Sequence, residues 1–278
     1  MIYAKCCLCG KGEAKSIKKE SSWNMLQCTA CSHVYLYPTP DEAFLKKHYQ
    51  SYLPANQKQI LRWKFMMSGV FVKSLASLDK LYKHKRGKLF DIGCGHGFFL
   101  EMAKKEGWDV YGLDLCQQAT EYAKLRGFNV VNVSLFEKNY KDNEFDVITM
   151  FYVLEHLPNP VKYLQEIYRI LKPGGLLLLR VPHTTPVVRI LKVLRIPNKL
   201  YDTPSHISDF SPATTKTILR NQGFINIHTF IGGTTYPWPF YKMCISIFFG
   251  YLADFLYFIS FKRYLLPGVS KSTVAQKS

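Results

Sequence analysis

The chain reads as an α/β protein: a mostly parallel sheet with helices on both faces. Three observations predict it. Short apolar runs alternate with amphipathic helical stretches between residues 88 and 181, the order expected when crossover helices join parallel strands. The run Leu89-Phe90-Asp91-Ile92 passes into a turn holding Gly93, Gly95 and Gly97, and a helical pattern starts at Phe98. Glycine admits positive φ and lets a ligand approach the main chain, while unpaired N–H groups at a helix start favour polar or anionic groups. Seventeen residues beyond Gly97, a second short strand ends on Asp114. A carboxylate there can accept both hydroxyls of a ribose, so loop and acid together read as a nucleoside-cofactor site.

Taken in order, the chain opens on two Cys-x-x-Cys pairs, Cys6/Cys9 and Cys28/Cys31, separated by 18 residues. Thiolates so spaced can close a tetrahedral Zn2+ site, and four of them leave no open position, so this metal would be structural. About forty residues bury little core alone, and a metal supplies the missing stability. Residues 23–27 read as a strand feeding the second pair, and Cys7 is the odd thiol. Residues 34–37 look extended and stop at Pro38 and Pro40; Asp41 can cap a helix over 42–49. Apolar residues at three- and four-residue steps (Ile60, Leu61, Phe65, Val70, Phe71, Leu75, Leu78, Leu81) predict a helix within 56–86 that covers the cofactor cleft.

The core then reads strand 88–93, helix 97–106, strand 110–114, helix 117–126, strand 129–133, strand 145–151, helix 160–171 and strand 175–181. Ligands of such sheets bind beyond the carboxyl ends of the strands, where the glycine loop and Asp114 lie. Ser211 is a natural N-cap with Pro212 behind it, for a helix over 213–222 ended by Gly223. Residues 187–196 set Arg189, Lys192 and Arg195 among apolar residues, a basic amphipathic helix of the kind that lies in a lipid interface. Residues 243–261 carry one charge, Asp254, between Lys242 and Lys262-Arg263. That length meets the threshold for a membrane span. A helical insertion packed on the domain or on a second copy is the first reading, with peripheral membrane contact and a true span as alternatives. The expected organisation is a zinc ribbon over 1–50, a helical linker over 51–86, the core over 87–235, an apolar insertion over 236–266, and a last strand and tail over 267–278.

The net charge of +17 is uneven. Residues 1–86 are net +10, residues 87–183 net −1 and residues 184–278 net +8. Basic flanks around a neutral core suit an anionic or lipid-linked partner, or serve solubility alone. Closely paired cysteines point to metal and a reducing compartment rather than to a disulfide scaffold. No charged-then-apolar leader opens the chain, so a cytoplasmic location is expected, with a peripheral position at the inner face of the membrane as the alternative.

The glycine spacing behind Asp91 departs from the dinucleotide fingerprint G-x-G-x-x-G. It resembles D-x-G-x-G-x-G, the first motif of the class I S-adenosylmethionine-dependent methyltransferases. Residues 145–150 resemble that family's fourth strand, and Leu154-Glu155-His156-Leu157-Pro158 the segment after it. Leu171-Lys172-Pro173-Gly174-Gly175 and the leucines behind it resemble the turn into strand five. The resemblance implies a Rossmann-like fold with a seven-stranded, mostly parallel sheet, its last two strands at 225–231 and 272–276, and S-adenosylmethionine as cofactor. It implies that Gly93, Gly95 and Gly97 bind the cofactor, Gly93 and Gly95 letting the backbone approach the methionyl part. Asp91 would organise the loop or reach the amino group through water. Asp114 would hold the ribose, and Leu115 would press on the adenine. Ser134 and Leu135 stand where the family often carries an acid for the adenine, and Met150 and Tyr152 close the fourth strand beside the cofactor.

The amino-terminal module resembles that of a group including C-methyltransferases of deoxysugar biosynthesis and relatives in polysaccharide or natural-product pathways. There it helps to form the substrate side of the cleft, so Tyr49 and Tyr52 fall at such a wall or simply pack their helix. His206, in a segment comparable to one beside the acceptor in these relatives, is the first candidate for general base; His156 and Tyr201 follow. The implied reaction is methyl transfer to a small-molecule acceptor: a sugar, nucleotide sugar or lipid-linked glycan intermediate. RNA methylation is the second reading. It suits the positive flanks but lacks an N-P-P-Y or D-P-P-Y motif after strand four, which reads Met150-Phe151-Tyr152-Val153. An inactive cofactor-binding membrane or scaffold protein is the third, opposed by the intact loop and Asp114.

Overall fold

The computed structural model describes residues 2–3, 5–20, 22–50 and 52–278. Strands β1 (Ile2–Tyr3), β2 (Glu13–Glu20), β3 (Trp23–Cys28) and β4 (Val34–Tyr37) pair antiparallel in that order. Period-two alternation sends Met25 and Leu36 to one face and Leu26 and Tyr35 to the other, beside Cys6 and Cys28. Helix α1 (Glu42–Tyr49) starts as expected on Asp41, whose carboxylate accepts from the Phe44 amide at 2.7 Å. Helix α2 (Gln57–Leu81) stops short of the expected limit at 86. Tyr82 leaves the helix to donate its hydroxyl to Asp146 Oδ1 at 2.9 Å and to pack on Trp108.

Strand β5 (Lys88–Ile92) is central to a second sheet. Helices α3 (Phe98–Lys105) and α4 (Gln117–Leu125) join it to β6 (Asp109–Leu113) and β7 (Asn129–Val131). On its other side lie β8 (Phe145–Phe151), helix α5 (Pro160–Ile170) and β9 (Leu171–Val181). These five strands are parallel. Leu176–Leu179 is buried throughout, as both-sided cover requires. Helix α6 (Thr185–Val193), strand β10 (Ser208–Asp209) and helix α7 (Pro212–Asn221) follow, then β11 (Phe224–Phe230), helix α8 (Phe240–Ile259) and β12 (Lys271–Lys277). β12 runs antiparallel between β9 and β11, so the order is β11-β12-β9-β8-β5-β6-β7: the seven-stranded, mostly parallel sheet of the expectation. One face packs on α2 and α3 through Phe71, Phe99 and Leu178. The other packs on α5 and α7 through Leu164, Ile167 and Leu219.

Strand β10 had no signature in the sequence. Its two residues pair with β4, Ser208 opposite Tyr35 and Asp209 opposite Val34. The amino-terminal sheet therefore takes its fifth strand from the carboxyl half of the chain. The Asp209 carboxylate accepts from the amides of Thr184 and Thr185 at 2.7 and 2.8 Å, which satisfies the start of α6. Helix α6 is shorter than expected: it ends at Val193, and Arg195 has a left-handed φ of 57°.

Candidate active site

Strands β5, β6 and β8 end at one edge of the sheet, beside a cavity of about 750 Å³. Gly93 has φ +78°, and a Cβ there would lie 2.3 Å from Val153 Cγ2, so glycine is the residue that holds this turn. The Gly95 amide donates to Asp114 Oδ2 at 2.8 Å, and the Cys116 amide donates to Oδ1 at 2.8 Å. Asp114 thus ties the glycine loop to the end of β6, and burial pushes its carboxyl up. Asp91 is buried and accepts from Thr149 Oγ1 at 2.7 Å. Burial first, and the charge of Asp114 with it, pushes Asp91 to about 8.

Asp91, Gly93, Gly95, Asp114, Leu115, Ser134, Leu135 and Tyr152 all line the cavity. Two expected cofactor residues do not. Gly97 is the left-handed N-cap of α3, where a Cβ would meet Ala123 and Phe128 at 3.2 Å; it seats the turn against α4. Met150 is fully buried among the residues that pack on α5. Beside Leu135, the Ser134 amide donates to Glu137 Oε2 at 2.6 Å, and Lys46 of α1 pairs with Glu137 at 3.2 Å.

The opposite end is made from distant pieces. Tyr49 comes from α1, Glu155 and His156 from the single helical turn after β8, and His206 from the segment before β10. The Tyr49 hydroxyl donates to the Ser205 carbonyl at 2.9 Å, and His156 Nδ1 lies 2.8 Å from the same oxygen. A carbonyl only accepts, so Nδ1 carries the proton and Nε2 the lone pair. Nε2 lies 3.9 Å from Glu155 Oε1. Apart from its own amide, Glu155 has no hydrogen-bond donor among the described residues. Burial pushes its carboxyl up to about 8 and lowers His156 to about 4. His206 packs edge-on against His156, ring centroids 4.8 Å apart, and burial lowers it too.

Tyr201, the third candidate base, is elsewhere. It is 1% exposed, its hydroxyl meets Thr185 Oγ1 at 3.0 Å, and it packs with Leu36 and Val188. It braces the amino-terminal sheet against α6, and burial pushes its phenol up to about 12.

Helix α2, which the sequence set over the cleft, lends Trp63, Met66, Met67 and Phe71 to the cavity wall. One contribution escaped the sequence. Arg180, 2% exposed on β9, donates from Nε to the Tyr152 hydroxyl at 2.8 Å and from Nη2 to the Gly233 carbonyl at 2.8 Å. Tyr152 holds a left-handed φ of 57°, a strain of about 1–3 kcal/mol that surrounding contacts must offset. A lone arginine closing a run of four leucines was the available signal.

Away from the cavity, Cys6 Sγ lies 3.6 Å from Cys31 Sγ, and Cys9 Sγ 3.5 Å from Cys28 Sγ. All four sulfurs fall within 4.8 Å of one another. The edge of a tetrahedron with Zn–S bonds of about 2.3 Å is about 3.8 Å, so the four thiols fit such an ion.

The chain is similar in sequence and fold to known proteins. A family model described as a methyltransferase domain matches residues 69–229. The ubiquinone biosynthesis O-methyltransferase of Xanthomonas oryzae pv. oryzae is 32% identical over 145 residues, covering 48% of this chain and 61% of that protein. The same-named protein of Erwinia tasmaniensis is 32% identical over 109 residues, covering 35% and 45%. The chain thus spans less than two thirds of these relatives' length. Among solved structures, a SAM-dependent methyltransferase from Archaeoglobus fulgidus shares 22% identity, with TM-score 0.55 over 80% of this chain and all of that one. Phosphoethanolamine N-methyltransferase 2 of Haemonchus contortus, bound to S-adenosyl-L-methionine, shares 18% identity, with TM-score 0.52 over 80% and 57%. The structural likenesses establish the fold, and the family match adds the lineage: this chain belongs to the methyltransferase domain family, with the class I S-adenosylmethionine-dependent fold.

Proposed function

We propose that this protein transfers a methyl group from S-adenosylmethionine to a small-molecule acceptor: a sugar, nucleotide sugar or lipid-linked glycan intermediate. One observation carries the reading: a single cavity with a glycine loop and Asp114 at one end, and Tyr49, His156 and His206 at the other. The cofactor end fits its group. A Cβ at Gly93 would be obstructed, the Asp114 oxygens keep lone pairs for ribose hydroxyls after accepting two amides, and Leu115 and Leu135 offer apolar walls to an adenine. When bound, S-adenosylmethionine supplies an electrophilic methyl group on a sulfonium centre.

The protein's part is positioning and proton transfer. Burial keeps His206 neutral at pH 7, and its ring nitrogens make no hydrogen bond among the described residues. His206 therefore accepts the acceptor's proton as the methyl bond forms. His156, fixed through Nδ1 by the Ser205 carbonyl, orients the acceptor through Nε2. Tyr49 and Tyr52 present amphipathic faces suited to a polyhydroxylated ring. We also infer that Cys6, Cys9, Cys28 and Cys31 hold a structural Zn2+, whose binding would ionise the Cys6 and Cys31 thiols that burial pushes up.

Incubation with radiolabelled S-adenosylmethionine, offering in turn a nucleotide-sugar pool, a lipid-linked glycan extract and total RNA, tests the reading. Label is expected in one of the first two. Label confined to RNA at high salt would replace the acceptor class with nucleic acid.

A further inference from the structure

Helix α8 is built like a core helix and placed like a surface one. Of its twenty residues, Gly250 and Ala253 are the buried ones. Gly250 abuts Thr234, the Tyr257 hydroxyl meets His228 Nε2 at 3.2 Å, and Asp254 pairs with Lys73 of α2 at 2.6 Å. These contacts fix one face of the helix on the domain. The opposite face carries Tyr241, Ile245, Phe248, Phe255 and Phe258 at three-, four- and seven-residue steps, Phe248 at 63% and Phe258 at 78% exposure. A soluble helix puts charges there. Trp238, under Arg62 at 5.1 Å from its ring, extends the patch toward α2, which exposes Phe65.

We propose that this face docks on an anionic phospholipid bilayer, α8 lying in the plane of the headgroups. Charge selects the occupant. Lys242 stands at the start of the stripe, Lys262 and Arg263 just past its end, and Arg62 beside Trp238; all are exposed, and none pairs with a carboxylate among the described residues. Asp254, the one acid between Phe224 and Ser278, is already held by Lys73. A second copy would bring these cations against their own kind, whereas anionic headgroups meet them.

Topology sets the depth. β11 and β12 pair antiparallel with Phe230 opposite Ser272, so both ends of the insertion return to one place. The helix is about 30 Å long, enough to cross. Its return would then carry irregular backbone through hydrocarbon, which the bilayer core does not tolerate. An interfacial helix satisfies both constraints. The docking face also shares a wall with the cavity: α2 exposes Phe65 and turns Trp63 and Met66 inward, and Thr235 lines the cavity while its carbonyl accepts from Ser246 of α8. Vesicle binding by this face is read independently of methyl transfer.

Flotation of the full zinc-loaded chain with phosphatidylglycerol and with phosphatidylcholine vesicles tests it. Binding to phosphatidylglycerol is expected. The combined variant Phe248→Asp, Phe255→Asp, Phe258→Asp should weaken it about tenfold or more, with the thermal midpoint as the folding control. Should that variant fail to fold, an environment-sensitive dye on the exposed Cys244 of α8 gives a second readout, expected to shift blue with phosphatidylglycerol vesicles in the unsubstituted protein. Equal flotation of wild type and variant, no flotation with either lipid, or a dye blind to vesicles would each overturn the proposal. So would a dimer seen by light scattering that the aspartate variant dissolves and that does not bind vesicles.

Discussion

Replacing Glu155 with Gln should make stability less sensitive to pH, and the size of the effect follows from the site. Glu155 is fully buried, and its carboxyl is pushed from 4.5 to about 8 by loss of solvation. A raised acid stabilises the fold below its unfolded pKa, and that contribution is lost as pH rises through the folded value. Between about pH 5 and 8 the folded chain holds up to one proton more at Glu155 than the unfolded chain, worth about 1.4 kcal/mol per pH unit. From pH 7 to 9 the proton is half lost at the midpoint, so the integrated change is about 1.4 kcal/mol. Other groups titrate nearby. Asp91 acts in the same sense; His156 and His183, both lowered to about 4 by burial, and Lys271, lowered to about 8, act in the opposite one. They largely cancel when the variant is subtracted from wild type. Denaturant melts at pH 7, 8 and 9, on zinc-loaded protein without cofactor, should show the Gln variant gaining about 1.4 kcal/mol on wild type, or roughly 3 °C in thermal midpoint. A difference that stays flat across that range would mean that Glu155 is already ionised at pH 7, and the reasoning fails.

Gly93→Ala should cost about 1–3 kcal/mol in stability, because φ is +78° and Val153 Cγ2 stands 2.3 Å from the new Cβ; calorimetry should also show weakened S-adenosylmethionine binding, and an unaltered melt with unaltered affinity would contradict the loop geometry. His206→Ala should lower kcat about 10²–10⁴-fold with cofactor affinity nearly unchanged, and full turnover would remove this histidine from the chemistry. Elemental analysis should find one zinc per chain, lost in Cys28→Ser, and that variant should raise the acceptor KM far more than the cofactor Kd; equal effects on both would break the assignment of the ends.

The glycine-loop end of the cavity was legible because its residues are local. Asp91, the glycines and Asp114 lie within 24 residues, and one strand–helix–strand unit, β5–α3–β6, brings them together. The motif did not say which way each side chain points. Period-two alternation would have set Met150 on the face opposite Phe151, toward α5, away from the cavity that Phe151 lines. Gly97 differs from Gly93 and Gly95 only in what its missing Cβ would meet. Tyr201 read as a loop aromatic near a candidate base, and only packing on the amino-terminal sheet reveals its structural role. Nothing periodic marks β10, since two residues carry no pattern. It exists because β4 offers an unpaired edge some 170 residues upstream, and edges of that kind recruit whatever extended segment is near.

That recruited strand joins the two halves of the site. Ile207 donates its amide to the Glu155 carbonyl at 2.8 Å, and its own carbonyl accepts from the Leu36 amide at 2.8 Å. One residue therefore bridges β4 of the cysteine-bearing sheet and the turn after β8, with His206 directly before it and Ser205 holding His156 and Tyr49. The positions of both histidines thus depend on a sheet too small to be stable by its own core. The glycine loop and Asp114 are braced by the large parallel sheet instead. Loss of the proposed metal would loosen β4, then Ile207, then the histidine pair, while the glycine-loop end kept its shape. An amino-terminal module remote from the reacting atoms in sequence can in this way set which acceptor is held, and at what angle, without contributing to how the cofactor is bound.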